Sequence, residues 1–219
     1  MQATWFYVSV VTAFLLGPVG GTRARGRQRS PAQQPLSNIP AVHSLDLQRF
    51  SGRWLLNSVA SKCRYLQENN FRLESTSMTL TASTSPTSPL IASTLRKLNQ
   101  QCWNITQEYI PTQSSSRFLI ADRYDSIEVV VSETDYISYA LLYYQKRDQV
   151  TMKLYGRSTQ LPDSMLDRFE DLAEKQGISI DHVYPFPKYG GSRSSVACLY
   201  EYAAYPYVMR HITAQNCDF

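Results

Sequence analysis

The feature that most constrains this chain is an alternation of period two that returns in one segment after another. In "WNITQEYI" (103–110) Trp103, Ile105, Gln107 and Tyr109 share a face; "RFLIAD" (117–122) pairs Phe118 with Ile120; "IEVVV" (127–131) aligns Ile127, Val129 and Val131. "VTMKLYG" (150–156) sets Val150, Met152 and Leu154 against Thr151, Lys153 and Tyr155. Alternation of this kind marks half-exposed antiparallel strands. Polar, proline- or serine-rich turns separate them at "TSPTSP" (84–89), "TQSSS" (112–116), "DRYDS" (122–126) and "QKRDQ" (145–149). Evenly spaced strands joined by short turns predict an all-β, eight-stranded up-and-down meander, which protects its edges by closing into a barrel.

One segment departs from period two. "LPDSMLDRFEDLAEKQG" (161–177) places Met165, Phe169 and Leu172 on one stripe, widened by Leu166 and Ala173, and predicts one C-terminal α-helix packed outside the sheet. Asp163 or Ser164 is expected to cap its start and Gly177 to end it. "DHVY" (181–184) then reads as a last short strand.

The ends predict a compartment. Residues 5–16, "WFYVSVVTAFLL", followed by "GPVGG", read as a signal peptide spanning 1–21, because the apolar run falls short of the about 20 residues a membrane span needs. Part of the net charge of +4 sits just after it, in Arg23, Arg25, Arg27 and Arg29. With Pro31, Pro35 and Pro40 this makes 22–44 a basic, disordered segment, and folded structure is expected from 45 to 190. The rest, 191–219, reads as an atypical, poorly ordered tail. In a secreted chain Cys63, Cys102, Cys198 and Cys217 are expected to form disulfides. They form no C-x-x-C, and His43, His182 and His211 are scattered, so no metal site and no cofactor is expected. Cys63 stands between Lys62 and Arg64, which favour a thiolate, at a strand-to-loop junction suited to exchange with a partner; an intrachain bond to Cys198 or Cys217 is the alternative. "NIT" at 104–106 makes Asn104 an N-glycosylation candidate.

"FSGRW" (50–54), "ETDY" (133–136) and "LYGR" (154–157) resemble, in order, the G-x-W, T-D-Y and basic third motifs of the lipocalin family. The resemblance implies an eight-stranded barrel with Gly52, Trp54, Thr134, Asp135, Tyr136 and Arg157 as fold determinants at its closed end. It also implies a cavity for a small apolar ligand, for which Phe71, Leu73, Trp103, Tyr109, Phe118, Tyr139 and Tyr143 are lining candidates. The stretches "ASKCRYLQE", "STLRKLNQQCW" and "FPKYG" are similar to the complement branch of the family. That similarity implies an interchain disulfide from Cys63 to the alpha chain of complement component eight, and through it association with the beta chain in the membrane attack complex. An intrachain disulfide from Cys102 to Cys198 (or Cys217) is implied by the family pattern. The alternative is a free extracellular carrier. No catalytic residue is expected: the cavity cysteine of the family's catalytic branch falls at Thr76, and no histidine lies between 50 and 157.

Overall fold

The computed structural model describes residues 32–186 except 71–74, 86, 99–100 and 122–124. The leader, the arginine run, the tail, Phe71, Leu73, Cys198 and Cys217 lie outside the described residues, as does the side chain of Cys102.

Nine strands form one sheet: β1 (Gly52–Ser61), β2 (Thr76–Thr81), β3 (Leu90–Leu98), β4 (Gln101–Pro111), β5 (Arg117–Ala121), β6 (Ser126–Thr134), β7 (Tyr139–Lys146), β8 (Gln149–Gly156) and β9 (Val183–Pro185). Neighbours in sequence pair antiparallel from β2 to β8, and β1 pairs with both β8 and β2, which closes an eight-stranded barrel. The short β9 adds to the outside of β1. Register shifts interrupt β1 between Leu56 and Ser58 and β6 between Val131 and Glu133; such bulges sharpen the local bend.

Two apolar clusters use opposite faces of this sheet. The inner one runs from Trp54 through Met78, Leu80, Leu90 and Phe118 to Val129 and Leu142. The outer one lies beneath α3 (Asp163–Lys175), where Phe169 and Ala173 meet Leu141, Tyr143, Met152 and Leu154. α3 therefore packs outside the barrel, as its stripe predicts. The side chains of Asp163 and Ser164 make no cap; Pro162 holds the N-cap position. Gly177, at φ +77°, ends the helix in the left-handed region.

The expectation of disorder through residue 44 fails for residues 32–44. Leu36 and Ile39 of this strap are buried in the outer cluster, Leu36 opening the 3-10 turn Leu36–Asn38 and Ile39 directly following it. The strap's backbone is satisfied by side chains of the barrel: Arg117 donates to Leu36 O and Ile39 O, Gln145 Oε1 accepts from Leu36 N, and Ser116 Oγ donates to Val42 O. A proline-containing segment with two well-placed apolar residues gains enough burial to order once such partners exist.

Two short helices complete the ends. α1 (Leu47–Phe50) precedes β1 and is capped by Asp46, whose carboxylate accepts from the amides of Gln48 and Arg49. α2 (Arg64–Asn69) follows β1 and buries Leu66 in the inner cluster. Among the described residues no helix is long and apolar enough to cross a membrane.

Candidate functional site

At the closed end the six motif residues converge. The Arg157 guanidinium lies 3.6 Å from the Trp54 ring centroid. It donates to five carbonyls: Nη1 to Arg53 (2.8 Å), Nη2 to Ser51 (2.9 Å), Arg49 (3.1 Å) and Phe50 (3.4 Å), and Nε to Tyr136 (3.2 Å). Burial pulls its pKa down against the pull of the Asp135 charge. Trp54, fully buried, donates its indole N–H to Phe50 O. Gly52 sits at φ +94°, and a Cβ there would stand 3.3 Å from Arg157 Nη1.

The T-D-Y turn is built by its own side chains. Thr134 Oγ1 donates to Tyr139 O and accepts from Tyr136 N, while Asp135 Oδ1 accepts from the amides of Ile137, Ser138 and Tyr139. Partial burial raises the Asp135 pKa, but these amide donors outweigh it and leave the carboxyl below its ordinary value. Tyr136 adopts φ +70°, which its place in the turn imposes, and carries Arg49 over its ring at 4.4 Å. This end is a sealed plug.

The inner wall differs. The continuous β3–β4 register makes Leu90 and Tyr109, Ala92 and Gln107, Thr94 and Ile105, and Arg96 and Trp103 direct neighbours. Tyr109 belongs to the inner cluster, so by period two all eight face inward. Thr94, Arg96, Trp103, Ile105 and Gln107 nevertheless keep partial exposure, whereas Val59, Leu142 and Lys153 on the far wall are buried. An inward side chain that meets solvent in mid-strand marks open space, and the hollow thus lies along β3 and β4 toward the open mouth.

Its lower part is polar in an unusual way. Tyr109 and Tyr144 reach across from opposite walls to a hydroxyl contact of 3.0 Å, and Tyr144 also bonds Tyr155. Burial pushes the Tyr109 phenol up to about 12 and those of Tyr144 and Tyr155 further. The Lys153 ammonium sits 4.1 Å from the Tyr144 ring, with the residue only 5% exposed.

Of the expected lining residues, Trp103, Tyr109 and Phe118 face the interior. Tyr139 and Tyr143 do not: both pack in the outer cluster beneath α3. The parity of β7 is set by α3, which needs Leu141 and Tyr143 outside and so turns Ala140, Leu142 and Tyr144 inward. The same demand places Val150, Met152 and Leu154 outside and leaves Lys153 inside. Arg96, Tyr144 and Lys153 were not expected in the site; the helix's need for an apolar seat on β8 was the signal that could have placed Lys153.

Cys63 is less open than a strand-to-loop junction suggests. It is 1% exposed, belongs to the inner cluster beside Leu66, and is disulfide-bonded within the single chain, with the other half outside the described residues. An exposed rim thiol is therefore not what the fold presents, because α2 folds inward over it. Asn104 is exposed on the outer face of β4, where its side-chain oxygen accepts from Ser93 Oγ at 2.8 Å.

The family model described as "Lipocalin / cytosolic fatty-acid binding protein family" matches residues 51–189. The chain is 36% identical over 185 residues to the complement component C8 gamma chain of Oryctolagus cuniculus, covering 83% of this chain and 89% of that one. It is 30% identical over 161 residues to protein AMBP of Bos taurus, covering 70% of this chain but only 45% of that one. A solved structure titled "The Siderocalin Ex-FABP functions through dual ligand specificities" shares the fold at TM-score 0.56 and 19% identity, over 64% of this chain and 94% of that one.

Proposed function

Because the chain belongs to the Lipocalin / cytosolic fatty-acid binding protein family, we propose that it is a secreted, non-catalytic subunit of a complement component eight assembly in innate immunity, bound to its alpha chain and through that to its beta chain. The observation that carries this reading is likeness along nearly the whole length of a C8 gamma chain. An oxidised Cys63 and the leader-like N-terminus agree with an extracellular site of action. Since Cys63 is already bonded, it serves an interchain link only by exchange: an alpha-chain thiolate attacks the Cys63 sulfur and the intrachain half leaves as a thiolate. Coexpression with the alpha chain followed by non-reducing electrophoresis tests this. The expected species is a heterodimer that separates on reduction and is lost in Cys63→Ala; monomer alone, with no alpha chain co-purifying, rejects the subunit reading.

A second reading, carriage of a small apolar ligand, is favoured by the hollow along β3 and β4. The two readings use different parts of the barrel and exclude neither each other nor a joint role.

A further inference from the structure

The barrel wall has a seam between β4 and β5. β4 runs for 11 residues and β5 for 5. The two strands pair only near the closed end, Ile110 with Leu119 and Pro111 with Phe118, and the next pairs of that register, Tyr109 with Ile120 and Glu108 with Ala121, do not form. Thr112 N donates to Arg117 O just below, and the backbone groups of an antiparallel strand point to alternate sides. Asn104, Thr106 and Glu108 therefore turn their N–H and C=O groups toward the missing neighbour, while Trp103, Ile105 and Gln107 serve the continuous ladder with β3. Among the described residues no other strand takes up the edge groups. The side chains of Asn104, Thr106 and Glu108 are exposed, and Trp103 and Ile105 between and beside them are only partly covered. Such a row in a stretch without proline or lysine, "WNITQEY" (103–109), is a template for another strand, and folded proteins cover or blunt edges of this kind.

We propose that the chain's own residues 196–202, "VACLYEY", occupy this seam as an added strand and complete the wall between β4 and β5. The inference stands apart from the subunit and carrier readings. The segment lies outside the described residues, and three features of the chain select it: composition, reach and a cysteine. Val196, Cys198, Leu199, Tyr200 and Tyr202 favour an extended chain, and the glycines and serines before them and Pro206 after them bound a strand of this length. Seven extended residues span about 23 Å, enough to cover the five residues 104–108, which span about 17 Å. The described chain stops at Phe186, whose N–H donates to Asn57 O on β1. From β1 the seam is four strand spacings away through β2, β3 and β4, about 19 Å, and the linking residues 187–195 reach about 30 Å. Cys102 lies on β4 beside the seam and Cys198 within the segment, two cysteines that an oxidising compartment can join. Main-chain bonds to a free edge supply the affinity of such docking, and alternate side chains set its register.

Residue-resolved amide hydrogen exchange of the full secreted chain tests this against Leu199→Pro/Tyr200→Pro, which removes two adjacent donors, one of which faces β4 whichever way the segment runs. The amides of Asn104, Thr106 and Glu108 are expected to exchange about a hundredfold more slowly in the parent than in the variant. Those of Ile105 and Gln107, bonded to β3, should stay slow in both and show that the variant is folded. Fast exchange at the three edge amides of both proteins leaves the seam uncovered and overturns the proposal; slow exchange in both assigns the seam to another segment and also overturns it. Edge amides that are fast in the free chain and slow only when the complement alpha chain is added make the occupant a partner's strand, which overturns the tail as occupant without touching the subunit reading. In the parent itself, interstrand nuclear Overhauser contacts between residues 104–108 and 196–202 are expected, and their absence overturns the proposal without reference to any variant.

Discussion

The two ends of the barrel treat polar groups in opposite ways. At the closed end every donor of the central arginine's fork that is described finds a carbonyl, and the Trp54 N–H has its acceptor. Toward the mouth a second Arg–Trp pair, Arg96 and Trp103, lies in neighbouring strands, yet its indole N–H has no acceptor and both residues remain partly exposed. The same residue types form a plug in one place and line a wall partly open to solvent in the other. What separates them is supply: α1 and the T-D-Y turn bring backbone carbonyls to Arg157, whereas the β3–β4 wall consumes its own carbonyls in the ladder and offers none to the Trp103 N–H.

The sharpest way to break this contrast is Arg157→Ala. The change removes five carbonyl contacts and the cation over Trp54, and it leaves those carbonyls partly buried. Hydrogen bonds to charged groups contribute about 1.5–3 kcal/mol each, without adding fully, so a loss of about 4 kcal/mol or more is expected in chemical denaturation. A loss below about 1 kcal/mol would show that the plug is ornamental to stability.

Gly156→Ala should cost less, about 2–3 kcal/mol, through overpacking. A Cβ at Gly156 would stand 2.7 Å from Asn57 Nδ2 and 2.8 Å from Ser158 O. Asn57 sits in the β1 bulge and is itself tied to Leu55 O and Ser158 O, so neither neighbour can withdraw freely. Thermal unfolding of the variant, compared with Gly52→Ala, separates steric crowding from the strain of a positive φ.

The closed end was legible because its residues are bound to fixed spacings: G-x-W, T-D-Y and the arginine after "LYG" each meet a short-range backbone need. Gly156 was not singled out, although it stands inside the quoted motif, because its constraint comes from a bulge that alternation does not reveal. The barrel and its outer helix were legible from period alone. The lining was only half so, since period two groups residues by face without saying which face is inside. Tyr139 and Tyr143 share the alternation of a lining face, yet the apolar seat required by α3 turns them out. The strap at 32–44 was misread because composition suggested a linker, and its partners, Arg117, Gln145 and Ser116, are 70 or more residues away, with the Gln33 contact to Val150 spanning 117.

The phenol cluster between the two ends gives a pH test. Ionisation of Tyr109 in the folded state is displaced upward to about 12 by burial, whereas the unfolded chain ionises near 10. The folded pKa is the higher, so this contribution is complete below pH 10 and is lost as pH rises through 12. By pH 12 it removes about 2 kcal/mol per such group. Tyr109→Phe should flatten that decline, and phenolate absorbance should appear only with unfolding for the buried set. A phenolate signal titrating near pH 10 for all tyrosines, with structure retained, would place solvent at the floor of the cavity.

The smallest expected effect is the most direct probe of the contrast. Trp54→Phe removes an indole that donates to Phe50 O and supports Arg157, and should cost about 1–3 kcal/mol. Trp103→Phe removes an N–H that is buried without an acceptor. Deleting such a group relieves a desolvation cost that offsets the lost apolar contact, so the ligand-free protein should change by less than about 0.5 kcal/mol in either direction. A loss at Trp103 as large as that at Trp54 in the free protein would mean that the mouth, like the plug, is built for stability.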